Sequence, residues 1–68
     1  MQILGALTAV VVQLPAVGTQ VLRGQVLLVL ESMKMEHVVA APRAGRLAEL
    51  LVAAGDQVTR DQLLGRID

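Results

Sequence analysis

The chain nearly repeats itself, and that constrains its fold more than any other feature. GTQVLRGQVLLVLE (18–31) matches GDQVTRDQLLGRID (55–68): Gly18, Gln20, Val21, Arg23, Gln25 and Leu27 recur as Gly55, Gln57, Val58, Arg60, Gln62 and Leu64. Val26 against Leu63, Leu30 against Ile67 and Glu31 against Asp68 are near matches. Upstream, GALTAVVV (5–12) matches GRLAELLV (45–52) in pattern, which makes the loop to the next match three residues shorter in the second copy. Each copy is then one supersecondary unit that cannot bury its apolar face alone. Two copies are too few for a solenoid, which leaves a pair packed about a pseudo-two-fold axis.

Both copies read as strands. LTAVVVQL (7–14) and LAELLVAA (47–54) are aliphatic runs bracketed by turn signals, PAVG (15–18) and AAG (53–55). Arg23-Gly24 and Arg60-Asp61 separate the short strands that follow. Such spacing predicts an all-β sandwich or barrel. Helix is the competing reading for AELLVAA (48–54), whose residues are good helix formers. Gly45 and Gly55 leave room for only a short one. Gly18 and Gly55 are expected at positive φ, which costs glycine little, and Pro15 and Pro42 are expected in turns.

A chain of 68 residues is at most one small domain, here assigned to 1–68, and its margin of stability is thin. No cysteine is present to reinforce it, so an apolar content of 54%, mostly Val, Leu and Ala, must hold the fold. Without Phe, Tyr or Trp the core must be a thin aliphatic layer, which suits two closely packed sheets better than a deep ligand pocket. Six basic and six acidic residues cancel, and no base-stacking aromatics exist, which argues against a nucleic-acid module. The opening run lacks the charged start of a secretory signal and is too short and mixed for a membrane helix. The expected setting is cytoplasmic, with no membrane partner.

Between the copies lies LESMKMEH (30–37). QVLLVLES (25–32) and MEHVVAA (35–41) are strand-like runs separated only by Met33-Lys34, the spacing of a two-residue hairpin. Such hairpins prefer Asn-Gly or Asp-Gly, because their turns need positive φ. Met-Lys accepts strain of about 1–3 kcal/mol instead. The implied register sets Ser32 opposite Met35 and Glu31 opposite Glu36, a like-charge pair that is mildly destabilising. Local rule-breaking concentrated around one lysine marks a functional site.

Glu31-Ser32-Met33-Lys34-Met35-Glu36 closely resembles the biotin-attachment motif of biotinyl carrier domains, the biotin carboxyl carrier protein family. The likeness spans nearly the whole chain, including APRAG (41–45), both GxQVxRxQ turns and the closing LLGRID (63–68). It implies a flattened β-barrel, or barrel-sandwich hybrid, of two four-stranded antiparallel sheets. It implies biotin on the Lys34 side-chain nitrogen, installed by a biotin protein ligase from biotinyl-AMP. The domain would be the swinging arm of a biotin-dependent carboxylase, non-catalytic itself. It would move carboxyl groups from a biotin carboxylase site to a carboxyltransferase site, whose acceptor is commonly an acyl-CoA.

In that role a long flexible stem ending in a nucleophilic amine makes physical sense. Met33 and Met35 would offer adaptable apolar surface to the ligase, and Glu31 and Glu36 would supply polar recognition. Ser32 stands where the family most often has alanine. MQILG (1–5) stands where the second copy has APRAG, so a short or frayed first strand is expected. His37, the only histidine, reads as an outward strand residue beside the tip, since one histidine without partners makes neither a metal site nor a catalytic dyad. Arg23, Arg43, Arg46, Arg60 and Arg66 read as a solvated face. Two rival readings share the expected fold: a lipoyl carrier, which usually has Asp before the lysine and Ala after it, or a carrier accepting either group; and a structural module of an efflux adaptor, which has no modified lysine.

Overall fold

Val11, Leu28, Leu30, Leu47, Leu64 and Ile67 turn inward from a chain made only of strands and turns. The computed structural model describes all 68 residues. The strands are β1 (Gln2–Leu4), β2 (Ala9–Gln13), β3 (Gln20–Val21), β4 (Val26–Ser32), β5 (Met35–Ala40), β6 (Gly45–Leu50), β7 (Gln57–Val58) and β8 (Leu63–Ile67). AELLVAA is therefore not helical; its first half continues β6, and the rest is loop. The strands form two four-stranded antiparallel sheets, ordered β1-β8-β6-β3 and β5-β4-β2-β7. These face each other as a sandwich and do not close into one hydrogen-bonded barrel.

The pseudo-two-fold is written in the topology. Exchanging β1 with β5, β2 with β6, β3 with β7 and β4 with β8 turns one sheet order into the other. Individual hydrogen bonds obey the same exchange. Gly18 N–H donates to Leu47 O at 2.8 Å, and Gly55 N–H donates to Val11 O at 2.7 Å. The side-chain oxygen of Gln25 accepts from Leu22 N–H at 3.0 Å, and that of Gln62 accepts from Thr59 N–H, also at 3.0 Å. The repeated glutamines thus close equivalent turns. Gly18 and Gly55 take φ of 95° and 93°, as their positions predicted.

One part of the sequence alignment is corrected. Ala9 and Val10 pair with Val58 and Gln57, while Gly45 and Arg46 pair with Val21 and Gln20. The repeat therefore equates Ala9 with Gly45, not Gly5 with Gly45, and the loops 14–19 and 51–56 are equal in length. The two matchings differ by an even slip. Strand patterns have a period of two, so an even slip leaves every side chain on its proper face and only the backbone pairing can exclude it.

The first strand is short, as expected, but it is not frayed. Ile67 N–H donates to Met1 O at 2.8 Å, and the Met1 amino group donates to Ile67 O at 2.6 Å, so the two chain ends lock together. Thirteen aliphatic residues form a single core, with no buried polar side chain. That is the composition argument realised as packing: without aromatics, two sheets must approach closely to exclude water.

The molecule measures 31 × 19 × 19 Å. Its β4–β5 turn and its termini occupy opposite ends. β5 runs away from the turn to Ala40 beside Val26, and a short connection starts β6 at Gly45, next to Arg46, which pairs with Asp68.

Candidate functional site

The strand pairs on either side of Met33-Lys34 close with Ser32 opposite Met35 and Glu31 opposite Glu36, the register the sequence predicted. Met33 and Lys34 take φ of 54° and 66°. Positive φ at both central residues defines a type I′ turn, whose twist matches the flanking strands. Only Asp61, at 66°, is another non-glycine residue in this region, and it sits where the first copy has Gly24, at 85°. The tip therefore holds two side chains where turn chemistry favours Asn-Gly. Replacing Met33-Lys34 by Asn-Gly should stabilise the fold by about 1–3 kcal/mol. Thermal melting should show this as a rise of roughly 4–8 °C per kcal/mol.

Lys34 is exposed, and its ammonium makes no hydrogen bond or ion pair with the rest of the chain. It is also the only lysine, a signal present in the sequence that pattern reading passed over. The one other amine is the N-terminus at the far end, bonded to Ile67 O. Met33 is 93% exposed and Met35 62%, so neither fills the core. A free amine on a projecting turn, with no competing partner and an apolar collar, suits covalent attachment of an acyl group.

Glu31 and Glu36 are exposed and unpaired by any cation. The second copy makes the omission visible. Glu31 corresponds to Asp68, and Asp68 is ion-paired with Arg66 and, at 3.7 Å, with Arg46. In the first copy the residues equivalent to those arginines are Val29 and Val10, on the strands carrying and flanking Glu31. The fold thus offers a way to neutralise an acid at this register, and the tip end does not use it. All five arginines are exposed, as expected, and two of them, Arg46 and Arg66, also pair with Asp68 at the surface.

His37 is a correction. It lies directly opposite Leu30, which is fully buried, and cross-strand partners share a face. His37 therefore sits half-buried on the inward face of β5, with Val39, and not on the outward one. The tight turn decides this: with only two loop residues, parity along β5 is set by Ser32 and Met35.

Comparison with known proteins agrees with this geometry. The family model described as "Biotin-requiring enzyme" matches residues 4–67. The alpha subunit of mitochondrial methylcrotonoyl-CoA carboxylase from Arabidopsis thaliana is 56% identical over 45 residues, which is 66% of this chain and 6% of that protein. The biotin carboxyl carrier protein of acetyl-CoA carboxylase from Solanum lycopersicum is 51% identical over 41 residues, 60% of this chain and 59% of that protein. Among solved structures, a single-chain, multi-domain long-chain acyl-CoA carboxylase superposes with a TM-score of 0.91 at 37% identity, over 96% of this chain and 7% of that one. The lipoyl domain of the 2-oxoglutarate dehydrogenase complex from Azotobacter vinelandii superposes with a TM-score of 0.78 at 24% identity, covering 97% of this chain and 95% of that one, and shares the fold alone. The chain thus spans about 6% of the length of the carboxylase subunit it resembles. With the repeat, the two-sheet sandwich and the tip register in agreement with a family model covering almost every residue, the chain belongs to the biotin/lipoyl attachment-domain family.

Proposed function

We propose that Lys34 is the site of covalent biotin attachment and that the domain is a non-catalytic biotin carboxyl carrier within a biotin-dependent carboxylase. The observation that carries this reading is the sole lysine of the chain, exposed and unpartnered between two exposed methionines at the tip of a strained turn. The names of the relatives, carboxylase subunits and a carboxyl carrier protein, support the same reading.

Bound biotin supplies a ring nitrogen able to hold and release a carboxyl group; the chain supplies placement. A biotin protein ligase must remove a proton from the Lys34 ammonium, because only the neutral amine attacks an activated acyl carbon. No carboxylate or imidazole of this chain contacts the amine, so that base belongs to the ligase. Met33 and Met35 give the ligase apolar surface, and Glu31 and Glu36 give it acidic contacts. Acylation then removes the lysine charge from the tip, which favours easy passage between a biotin carboxylase site and a carboxyltransferase site. The long axis matters here: the tip is presented at one end, while both termini lie together at the other, clear of it.

Expressed with a biotin protein ligase and biotin, the chain should gain the mass of a single biotinyl group and bind streptavidin. Intact mass with peptide mapping to Lys34 checks this. Gain of lipoyl alone in a strain supplying both ligases would overturn the biotin assignment and favour the lipoyl reading.

A further inference from the structure

The thioethers beside Lys34 carry a redox chemistry that the apolar contact proposed for them does not use. Methionine fills irregular gaps in cores and supplies adaptable binding surface; Met33 and Met35 are 93% and 62% exposed and neither belongs to the core cluster, so both sulfurs are open to solvent. The chain builds its apolar surfaces elsewhere from Val, Leu and Ala, and could do so here without a sulfur. Both sulfurs flank the single lysine, while the third methionine, Met1, lies at the opposite end of the molecule. Oxidation of methionine follows access and converts a flexible apolar side chain into a polar one, reversibly through the sulfoxide reductases.

We propose that Met33 and Met35 form a peroxide-sensitive modification site whose oxidation stops the loading of Lys34. This rests on the reading of Lys34 as the acceptor. In the step, a thioether lone pair attacks one oxygen of hydrogen peroxide, the S–O bond forms and the O–O bond breaks. The sulfur is oxidised by two electrons, and the departing hydroxide takes up the peroxide proton to leave as water. The product places a strong dipole on each side of the amine, where a ligase must bury the tip to reach it. Because neither side chain packs in the core, the domain remains folded throughout. The device acts on the unloaded chain only, since an amide already made is untouched by sulfoxide formation.

The test uses the whole chain and a biotin protein ligase. The unloaded chain is treated with hydrogen peroxide, the peroxide is destroyed with catalase, and the product is mapped by mass at about 16 Da per sulfoxide. Oxidation at Met33 and Met35 should lower the ligase kcat/KM by about tenfold or more, as expected when burial of one or two apolar side chains is lost. The melting temperature should not move, and treatment with the two methionine sulfoxide reductases should restore loading. A Met33→Leu/Met35→Leu chain should load after peroxide at its own untreated rate, and Met1→Leu should retain the sensitivity. An oxidised chain that loads at the untreated rate, or a slowdown that persists in the double leucine variant, overturns the proposal. If the untreated chain gains no biotin at Lys34, the carrier reading falls and this one falls with it, a result distinct from either of those.

Discussion

A Lys34→Arg chain gains no biotinyl mass under conditions that label the wild type to completion, and it melts at the same temperature. Arginine keeps the positive charge, the length and the flexible stem, so it isolates the chemistry of the amine from its electrostatics. A guanidinium stays protonated at any pH at which proteins fold, and it cannot act as the nucleophile for amide formation. The loss should be complete and not partial, because the chain has no other lysine. The folded state should not notice: position 34 is exposed and makes no hydrogen bond or ion pair, and such surface changes usually stay within about 0.5 kcal/mol. Intact mass and streptavidin blotting read the first effect, and circular dichroism melting the second. Label that survives in this variant would locate the acceptor at the N-terminal amine and remove Lys34 from the argument.

Leu30→Ala produces the opposite dissociation: the lysine is retained and the fold is lost. Leu30 has no exposed surface, and it stands in β4 between Val11 of β2 and His37 of β5, close below the tip. Truncating a fully buried leucine costs about 2–5 kcal/mol, the spread reflecting how far the site can collapse. A domain this small, held by one aliphatic core without disulfides, has a total stability near the low end of about 5–15 kcal/mol. The melting temperature should therefore fall by more than about 10 °C, and much of the population should be unfolded at the growth temperature. Labelling should decline in proportion to the unfolded fraction and recover on cooling. A variant that melts with the wild type would show that the two sheets do not pack through Leu30.

These two outcomes separate what holds the post from what it presents. The stabilising Met33-Lys34→Asn-Gly exchange completes the set, since it should give a more stable domain with no acceptor at all. The strain at the tip is thus retained against the interest of stability, a pattern common where a side chain must be presented.

Much of this was legible beforehand because the relevant signals are local. Two-residue spacing between alternating runs specified the β4–β5 register, down to Glu31 opposite Glu36, since a tight turn leaves no freedom to slip. Gly18 and Gly55 announced positive φ because few other residues adopt it cheaply. The outward position expected for His37 failed for a related reason. Its parity follows from the turn, but which face of β5 is inward depends on the fully buried Leu30 across the ladder. The first strand is short, as its departure from the second copy suggested, and what holds it was not legible because its partner lies at the other end of the chain, where Ile67 and Met1 exchange hydrogen bonds.

The sequence by itself determined that two aliphatic copies must pack face to face, and that a single amine stands on a hairpin between them. Repetition, alternation and turn length are short-range properties, and they survive being read one window at a time. Only the tertiary structure decided how the copies align, because β2 and β6 obey the same two-residue rhythm in several registers and only hydrogen bonds to β7 and β3 choose among them. It alone also decided that Asp68 is neutralised by Arg46 and Arg66, while Glu31, its counterpart, is left without a cation. Charge compensation depends on which side chains meet in space, and strands distant in sequence supply them.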